Sequence, residues 1–293
     1  MTTGNLSNKT CLVTGASRGL GAAIARRFAA EGANLVLGVR APDSVAALVA
    51  ELERGASSAR KIVVVALDLL DAENVKTFAA RTGAAGVARV DVLVNNAAVL
   101  GPIGPASDNA PDDWAGAVTA DLVSPALLCS AFVPQMARAG GGRIINLSGG
   151  GATGPRPGFS AYGAAKAGLV RFTETLAEEV RALGITVNCV APGVMGTDML
   201  AAIERAGAAV AGEQELAAAK KGLAGGAETM AAAVELVTFL ATDSSAGVTG
   251  KLISAVWDQW REFPARAADL AKSDVFTLRR IAGRDRGLPW ADK

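Results

Sequence analysis

Lys-Thr-Cys-Leu-Val-Thr-Gly-Ala-Ser-Arg-Gly-Leu-Gly, residues 9–21, is followed by an alanine-rich run at 22–30 whose apolar positions recur at helical spacing. The first six residues are short, largely apolar and β-prone, which suits a buried strand. The glycines then make a tight turn. Strand, glycine turn and helix is the order a dinucleotide site requires: glycine lets the backbone approach a pyrophosphate, and the helix N-terminus faces its negative charge with unpaired N–H groups. Gly15, Ser17, Arg18, Gly19, Leu20 and Gly21 are therefore candidate cofactor contacts. The spacing is Gly-x-x-x-Gly-x-Gly rather than Gly-x-Gly-x-x-Gly, and such a turn is often only a tight connection, so support has to come from the rest of the chain.

Working outward, the same alternation repeats. Residues 34–39 read as a second strand ending at Arg40, 62–67 as a third followed by Asp68-Leu69, and 90–94 as a fourth running into Asn95-Asn96-Ala97-Ala98. Helices are expected at 71–85, 111–138, 160–183 and 227–241, and further strands at 143–147, 185–190 and 249–256. Apolar strands alternating with helices predict an α/β fold: a single Rossmann-type doubly wound parallel sheet of about seven strands with helices on both faces. Ligands of such sheets collect at the C-terminal strand ends, which adds Asp68, Leu69, Asn95 and Ala97 to the candidates. An acidic residue near the end of the second strand would bind an NAD ribose hydroxyl, whereas arginine there accommodates the 2′-phosphate of NADP. Val39 and Arg40 take that place, so NADP is expected, with NAD as the alternative. Asp43 reads as a cap of the next helix.

The chain has 293 residues, half of them apolar, and a net charge near zero. It can bury a full core, and no basic stripe points to nucleic acid or to a membrane surface. The N-terminus has no apolar leader, and no later run is expected to reach bilayer length, so a cytoplasmic location is expected. The odd, scattered Cys11, Cys129 and Cys189 read as buried thiols, and no metal site is expected. Histidine is absent, which removes Ser-His-Asp hydrolysis and His-ligated zinc. Proton chemistry must then use tyrosine, lysine, serine or a carboxylate.

The one tyrosine, Tyr162, precedes Lys166 by four residues, one helical turn. A phenol must come down by about 3 pKa units to work at neutral pH, and an ammonium about 4 Å away at an effective dielectric near 20 supplies energy of that order. Alone, such a pair is more often a half-buried ring beside a solvated charge.

With these positions together, the chain resembles the short-chain dehydrogenase/reductase family over residues 8 to about 256. The resemblance rests on the glycine loop, Asp68-Leu69, Asn95-Asn96-Ala97-Ala98, Ser148 ahead of Tyr162-x-x-x-Lys166, and Pro192-Gly193 followed by Thr197. It implies hydride transfer between a nicotinamide and a small carbonyl or alcohol substrate. Tyr162 would move the proton, Lys166 would lower its pKa and bind ribose, and Pro192, Gly193 and Thr197 would line the nicotinamide. Long helices at 111–138 and 160–183 resemble the dimer faces of that family, so a homodimer or homotetramer is expected. Two positions depart from the pattern. The family's serine, thirteen residues before the tyrosine, falls on Gly149, and Ser148 is expected to be swung round by Gly149-Gly150-Gly151 to serve as hydroxyl donor. Asp121 stands where asparagine is usual in a relay to Lys166; Pro125 would leave its carbonyl free in a kinked helix. These departures keep open a catalytically weak dinucleotide-binding sensor or structural protein. The expected organisation is an oxidoreductase domain at 1–256, with a substrate lid at about 193–226, and an extension at 257–293. That extension carries Trp257, Trp260 and Trp290 and should pack on the body or on a neighbouring subunit.

Overall fold

The computed structural model describes residues 6–54 and 60–288. Among them, β1 (Thr10–Thr14), β2 (Asn34–Val39), β3 (Ile62–Ala66), β4 (Val92–Asn95), β5 (Gly142–Leu147), β6 (Ile185–Ala191) and β7 (Leu252–Ser254) form one parallel sheet in the order β3-β2-β1-β4-β5-β6-β7. The helices are α1 (Gly19–Ala30), α2 (Ala46–Arg54), α3 (Ala72–Ala84), α4 (Pro111–Val118), α5 (Ser124–Arg138), α6 (Ser160–Glu179), α7 (Asp198–Ala206), α8 (Ala208–Ala211), α9 (Glu213–Gly225), α10 (Ala227–Ala241) and α11 (Ala267–Lys272).

Side-chain alternation explains why both faces are covered. In β1, Cys11 and Val13 join Ile24 and Phe28 of α1 and Leu236 and Val237 of α10 on one face. Leu12 points the other way, toward Phe78 of α3 and Phe132 and Met136 of α5. Strand order reverses between β1 and β4, so a crevice opens at their C-terminal ends.

Several expected boundaries change. The predicted helix at 111–138 is α4 and α5 joined by a π turn, Thr119–Val123, in which Ser124 N–H bonds the Thr119 carbonyl. Pro125, having no N–H for the Asp121 carbonyl, favours this wider register. Pro111–Arg138 is also long and apolar enough to cross a bilayer, with a mean hydropathy of 1.6 over an 18-residue window, contrary to the expectation that no such run exists. Here Leu128, Cys129, Phe132 and Met136 of that stretch are buried under the sheet. Asp43 lies in the first turn of a 3-10 helix, with Ala41 at the cap position and no capping bond from the Asp43 side chain.

The last strand is shorter than expected, and the tail covers its free edge. Leu252 N–H bonds the Phe276 carbonyl, Ser254 N–H bonds Asp258 Oδ2 at 2.7 Å, and Lys251 Nζ bonds the Ser273 and Val275 carbonyls at 3.0 Å each. Trp260 and Phe263 are buried among α1 and α10 residues, with the Trp260 ring 5.2 Å from Phe239. Trp257 is 85% exposed, and Trp290 lies outside the described residues.

Candidate active site

Two tight approaches shape the glycine loop. Gly15 has φ +67°, and a Cβ there would lie 2.8 Å from Ala97 Cα; a Cβ on Gly21 would collide with the Gly15 carbonyl and lie 2.5 Å from Asn96 Nδ2. The loop is thus pressed onto the end of β4. Thr14 and Asn96 fasten the two: Thr14 Oγ1 accepts from the Asn96 and Ala97 N–H groups at 3.0 Å each, and Asn96 Nδ2 donates to the Thr14 carbonyl at 2.9 Å. Sequence reasoning quoted both residues without giving them this task. Their only signal was their place beside the glycine loop and between Asn95 and Ala97.

At the start of α1 the cap residue Arg18 is extended and makes no side-chain cap, so among the described residues no side chain caps the first-turn N–H groups. That donor set and the glycine cradle fit a dinucleotide phosphate. Thr197 overhangs the loop, its Cγ2 lying 3.9 Å from where a Gly19 Cβ would be. Arg18 pairs with Asp198 at 2.9 Å, both side chains exposed. Gly193 has φ +88°, follows buried Pro192 and lies against Thr229 and Val256. Arg40 is exposed at the end of β2. Asp68 Oδ1 accepts from Leu70 N–H at 3.0 Å, and the Leu69 carbonyl accepts from Ser124 Oγ at 2.6 Å, so both belong to a turn fastened beneath the π turn.

Beside this cradle the titratable groups meet. Asp121 and Lys166 are fully and almost fully buried, and Nζ lies 3.2 Å from Asp121 Oδ2. Lys166 Nζ also donates to the Leu147 carbonyl at 3.0 Å, and Asp121 Oδ1 accepts from Val99 N–H at 2.8 Å. Asn95 donates to Asn146 Oδ1 at 2.9 Å, and Asn146 donates to Thr173 at 2.8 Å, bracing β4 and β5 against α6. Lys166 Nζ is 5.4 Å from the centre of the Tyr162 ring. Burial raises the Asp121 carboxyl pKa, with the Lys166 charge opposing. Burial pulls Lys166 down, but the charges of Asp121 and Tyr162 outweigh it, and the ammonium is held above its ordinary value. Tyr162 is likewise raised: burial dominates, the Lys166 charge lowers it, and the Asp121 charge cancels part of that help.

Ser148 is not where it was expected. Its N–H bonds the Val190 carbonyl at 2.8 Å, so the strand ladder continues through it. Its hydroxyl is buried and turned to the Cys189 thiol. The glycine run does not swing it toward Tyr162 because the ladder fixes its face before the glycines begin. Gly149 faces the phenol instead: a Cβ there would lie 2.9 Å from Tyr162 Cζ and closer still to the hydroxyl.

The predicted lid is helical from Asp198 onward apart from single glycines between its helices, and Ile203, Ala211 and Ala219 pack with Phe159 onto Tyr162. Arg156, ahead of α6, is held by Glu215 of α9 through Nε at 2.9 Å and Nη2 at 2.7 Å.

Comparison with known proteins agrees with this architecture. The sequence model described as short chain dehydrogenase matches residues 9–208. The chain is 36% identical to human "Dehydrogenase/reductase SDR family member 4" over 192 residues, covering 66% of this chain and 68% of that protein. It is 35% identical to the Escherichia coli "3-oxoacyl-[acyl-carrier-protein] reductase FabG" over 257 residues, covering 85% and 96%. A metagenomic short-chain oxidoreductase solved in complex with NADP superposes with a TM-score of 0.60 at 38% identity, over 64% of this chain and 84% of that one.

Proposed function

Since the chain belongs to the short-chain dehydrogenase family, we propose that it is an NADP-preferring oxidoreductase that interconverts a carbonyl and a secondary alcohol on a small organic substrate. The observation that carries this proposal is the buried Asp121–Lys166 pair beside Tyr162, next to the glycine cradle. When bound, the nicotinamide supplies or accepts the hydride. Tyr162 exchanges the proton with the substrate oxygen. Its raised pKa keeps it protonated at neutral pH, which suits an acid in the reductive direction. Lys166 holds a positive charge behind the ring, and Asp121 fixes that ammonium in place. The apolar faces of α7 to α9 exclude water from the reacting groups.

Gly15, Ser17, Arg18, Gly19, Leu20 and Gly21 are proposed to hold the phosphates, Asn95, Ala97, Pro192, Gly193 and Thr197 the nicotinamide half, and Asp68-Leu69 the adenine side. NADP preference is supported by exposed Arg40 after Val39 and by the NADP bound to the metagenomic relative. The same proposal includes a cytoplasmic location and a dimer or tetramer; the assembly is supported by Val123 and Leu127, apolar residues left exposed in and just after the π turn.

NADPH consumption with a panel of ketones and aldehydes tests the function. Wild-type turnover and a loss of at least about 100-fold in Tyr162→Phe, with cofactor binding retained, are expected. The missing side chain at Gly149 favours a second reading, a dinucleotide-binding sensor with little turnover. NADPH binding without reduction of any carbonyl would establish that one and remove the first.

A further inference from the structure

We propose that Arg156 binds a carboxylate on the substrate, so that the enzyme acts on short oxo acids or the matching hydroxy acids; this rests on the oxidoreductase reading above. Between Pro155 and Pro157, Arg156 has the sequence context of a solvated surface side chain. In the fold it is largely covered, with its side chain 16% exposed and its guanidinium 4.1 Å from the centre of the Phe159 ring and 5.8 Å from that of Tyr162.

A guanidinium is a planar fork with five donors and two usable edges. Glu215 takes one edge, through Nε and Nη2. Nη1, on the other edge, has no hydrogen-bond partner among the described residues, and a Cβ on Gly150 would lie 3.6 Å from it. The same Cβ would be as close to Cζ and Nε, so the guanidinium plane lies against Gly150, while the Tyr162 hydroxyl lies against Gly149, its neighbour in sequence. Their α-carbons are about 3.8 Å apart. A proton donor and a fixed cation thus sit above consecutive residues that carry no side chains. A ligand bridging them has a carbonyl a few bonds from an anionic group. A latch between loop and lid uses only the edge that Glu215 occupies; the second edge is left for a ligand. The Phe159 and Tyr162 rings around the fork lower the local dielectric and strengthen a charge-assisted bond made there. Glu215 is a positioning residue in this scheme: it orients the fork and, being negative, weakens binding of a second carboxylate.

The test compares kcat/KM for 3-oxobutanoate and 4-oxopentanoate with kcat/KM for their methyl esters, in the NADPH-supplied wild type, Arg156→Met and Glu215→Gln. One charge-assisted bond predicts an acid-to-ester preference of about 10- to 100-fold in the wild type. That ratio should fall to within about 3-fold of unity in Arg156→Met and rise in Glu215→Gln. Because the ratio is read, a general loss from a loosened lid cancels. Esters reduced as well as acids by the wild type, or an unaltered ratio in Arg156→Met, would overturn the proposal. If no carbonyl compound is reduced at all, the oxidoreductase reading fails separately, and calorimetric titration of 3-methylbutanoate into NADPH-loaded protein decides the anion site. Binding that Arg156→Met abolishes supports it; no binding, or equal binding to both proteins, overturns it.

Discussion

Restoring the family's serine at Gly149 should damage the enzyme rather than complete it. The space that a side chain would occupy is already filled by Tyr162, whose Cζ and Cε1 would stand 2.9 and 3.0 Å from the new Cβ, with the hydroxyl nearer still. To regain van der Waals contact the phenol oxygen must retreat by about 1 Å. The ring is poorly free to do so, because Phe159, Ile203, Ala211 and Ala219 pack around it and leave it 7% exposed. Overpacking of this kind costs about 1–3 kcal/mol. In a domain of this size each kcal/mol lowers Tm by about 2–4 °C. Misplacing a reacting group by about 1 Å costs about 100-fold in rate. Gly149→Ser and Gly149→Ala should lose activity alike, since the clash comes from the Cβ they share and not from the hydroxyl. Steady-state NADPH oxidation and thermal melts of the three proteins decide the matter. A Gly149→Ser variant that melts like the wild type and matches or exceeds its kcat/KM would refute the steric argument, and would mean that the site lacks a donor it has room for.

Replacing Asp121 by asparagine removes the charge that, after burial, raises the Tyr162 pKa, so the phenol should lose its proton at lower pH. The alkaline limb of reductive kcat/KM should then move to lower pH, and superimposable pH profiles would discard the idea. Ser148→Ala removes a buried hydroxyl that sits against the Cys189 thiol. It should leave kcat/KM within about 3-fold and stability within about 1 kcal/mol; a 100-fold loss would reinstate Ser148 as the substrate's donor. Arg40→Asp should shift the NADPH-to-NADH ratio of kcat/KM toward NADH by about 10-fold or more, and an unmoved ratio would mean that another residue reads the ribose.

The fold was legible because a sheet covered on both faces needs nearly continuous apolar strands, and runs such as Leu35-Val36-Leu37 and Ile62-Val63-Val64-Val65 admit few other uses. Tyr162 and Lys166 were legible because a helix turns a spacing of four into a shared face. Asp121 was legible as a kink and a charge, though not as a π turn, because the added residue per turn is a response to packing that Pro125 permits but does not dictate. The direction of Ser148 was not legible, because the three glycines after it are free to turn while the bond that holds it, to the Val190 carbonyl, comes from a strand 42 residues away. Arg156 was legible only as a charge between two prolines, open to an anion or to solvent: its partner Glu215 lies 59 residues away, in a segment whose composition indicates helix and nothing of its contacts.

The charges around Tyr162 also set a direction for the chemistry. A buried ion pair is costly to assemble, and Asp121 with Lys166 leaves the phenol facing an ammonium whose field is partly cancelled. Arg156 supplies a second positive charge that lowers the phenol pKa, weaker than burial and weaker than the other two. An anion seated on Arg156 would cancel that last contribution and hold the proton on Tyr162 more firmly. Binding an oxo acid would then keep the proton donor loaded at the moment it is needed. Binding a hydroxy acid would oppose the deprotonation that oxidation needs, so oxidation should require more alkaline conditions than reduction. The pH profiles of the two directions, measured on one oxo acid and its hydroxy acid, should therefore diverge further than those of the matching ester pair; equal divergence would mean that the charge on Arg156 is not felt at the phenol.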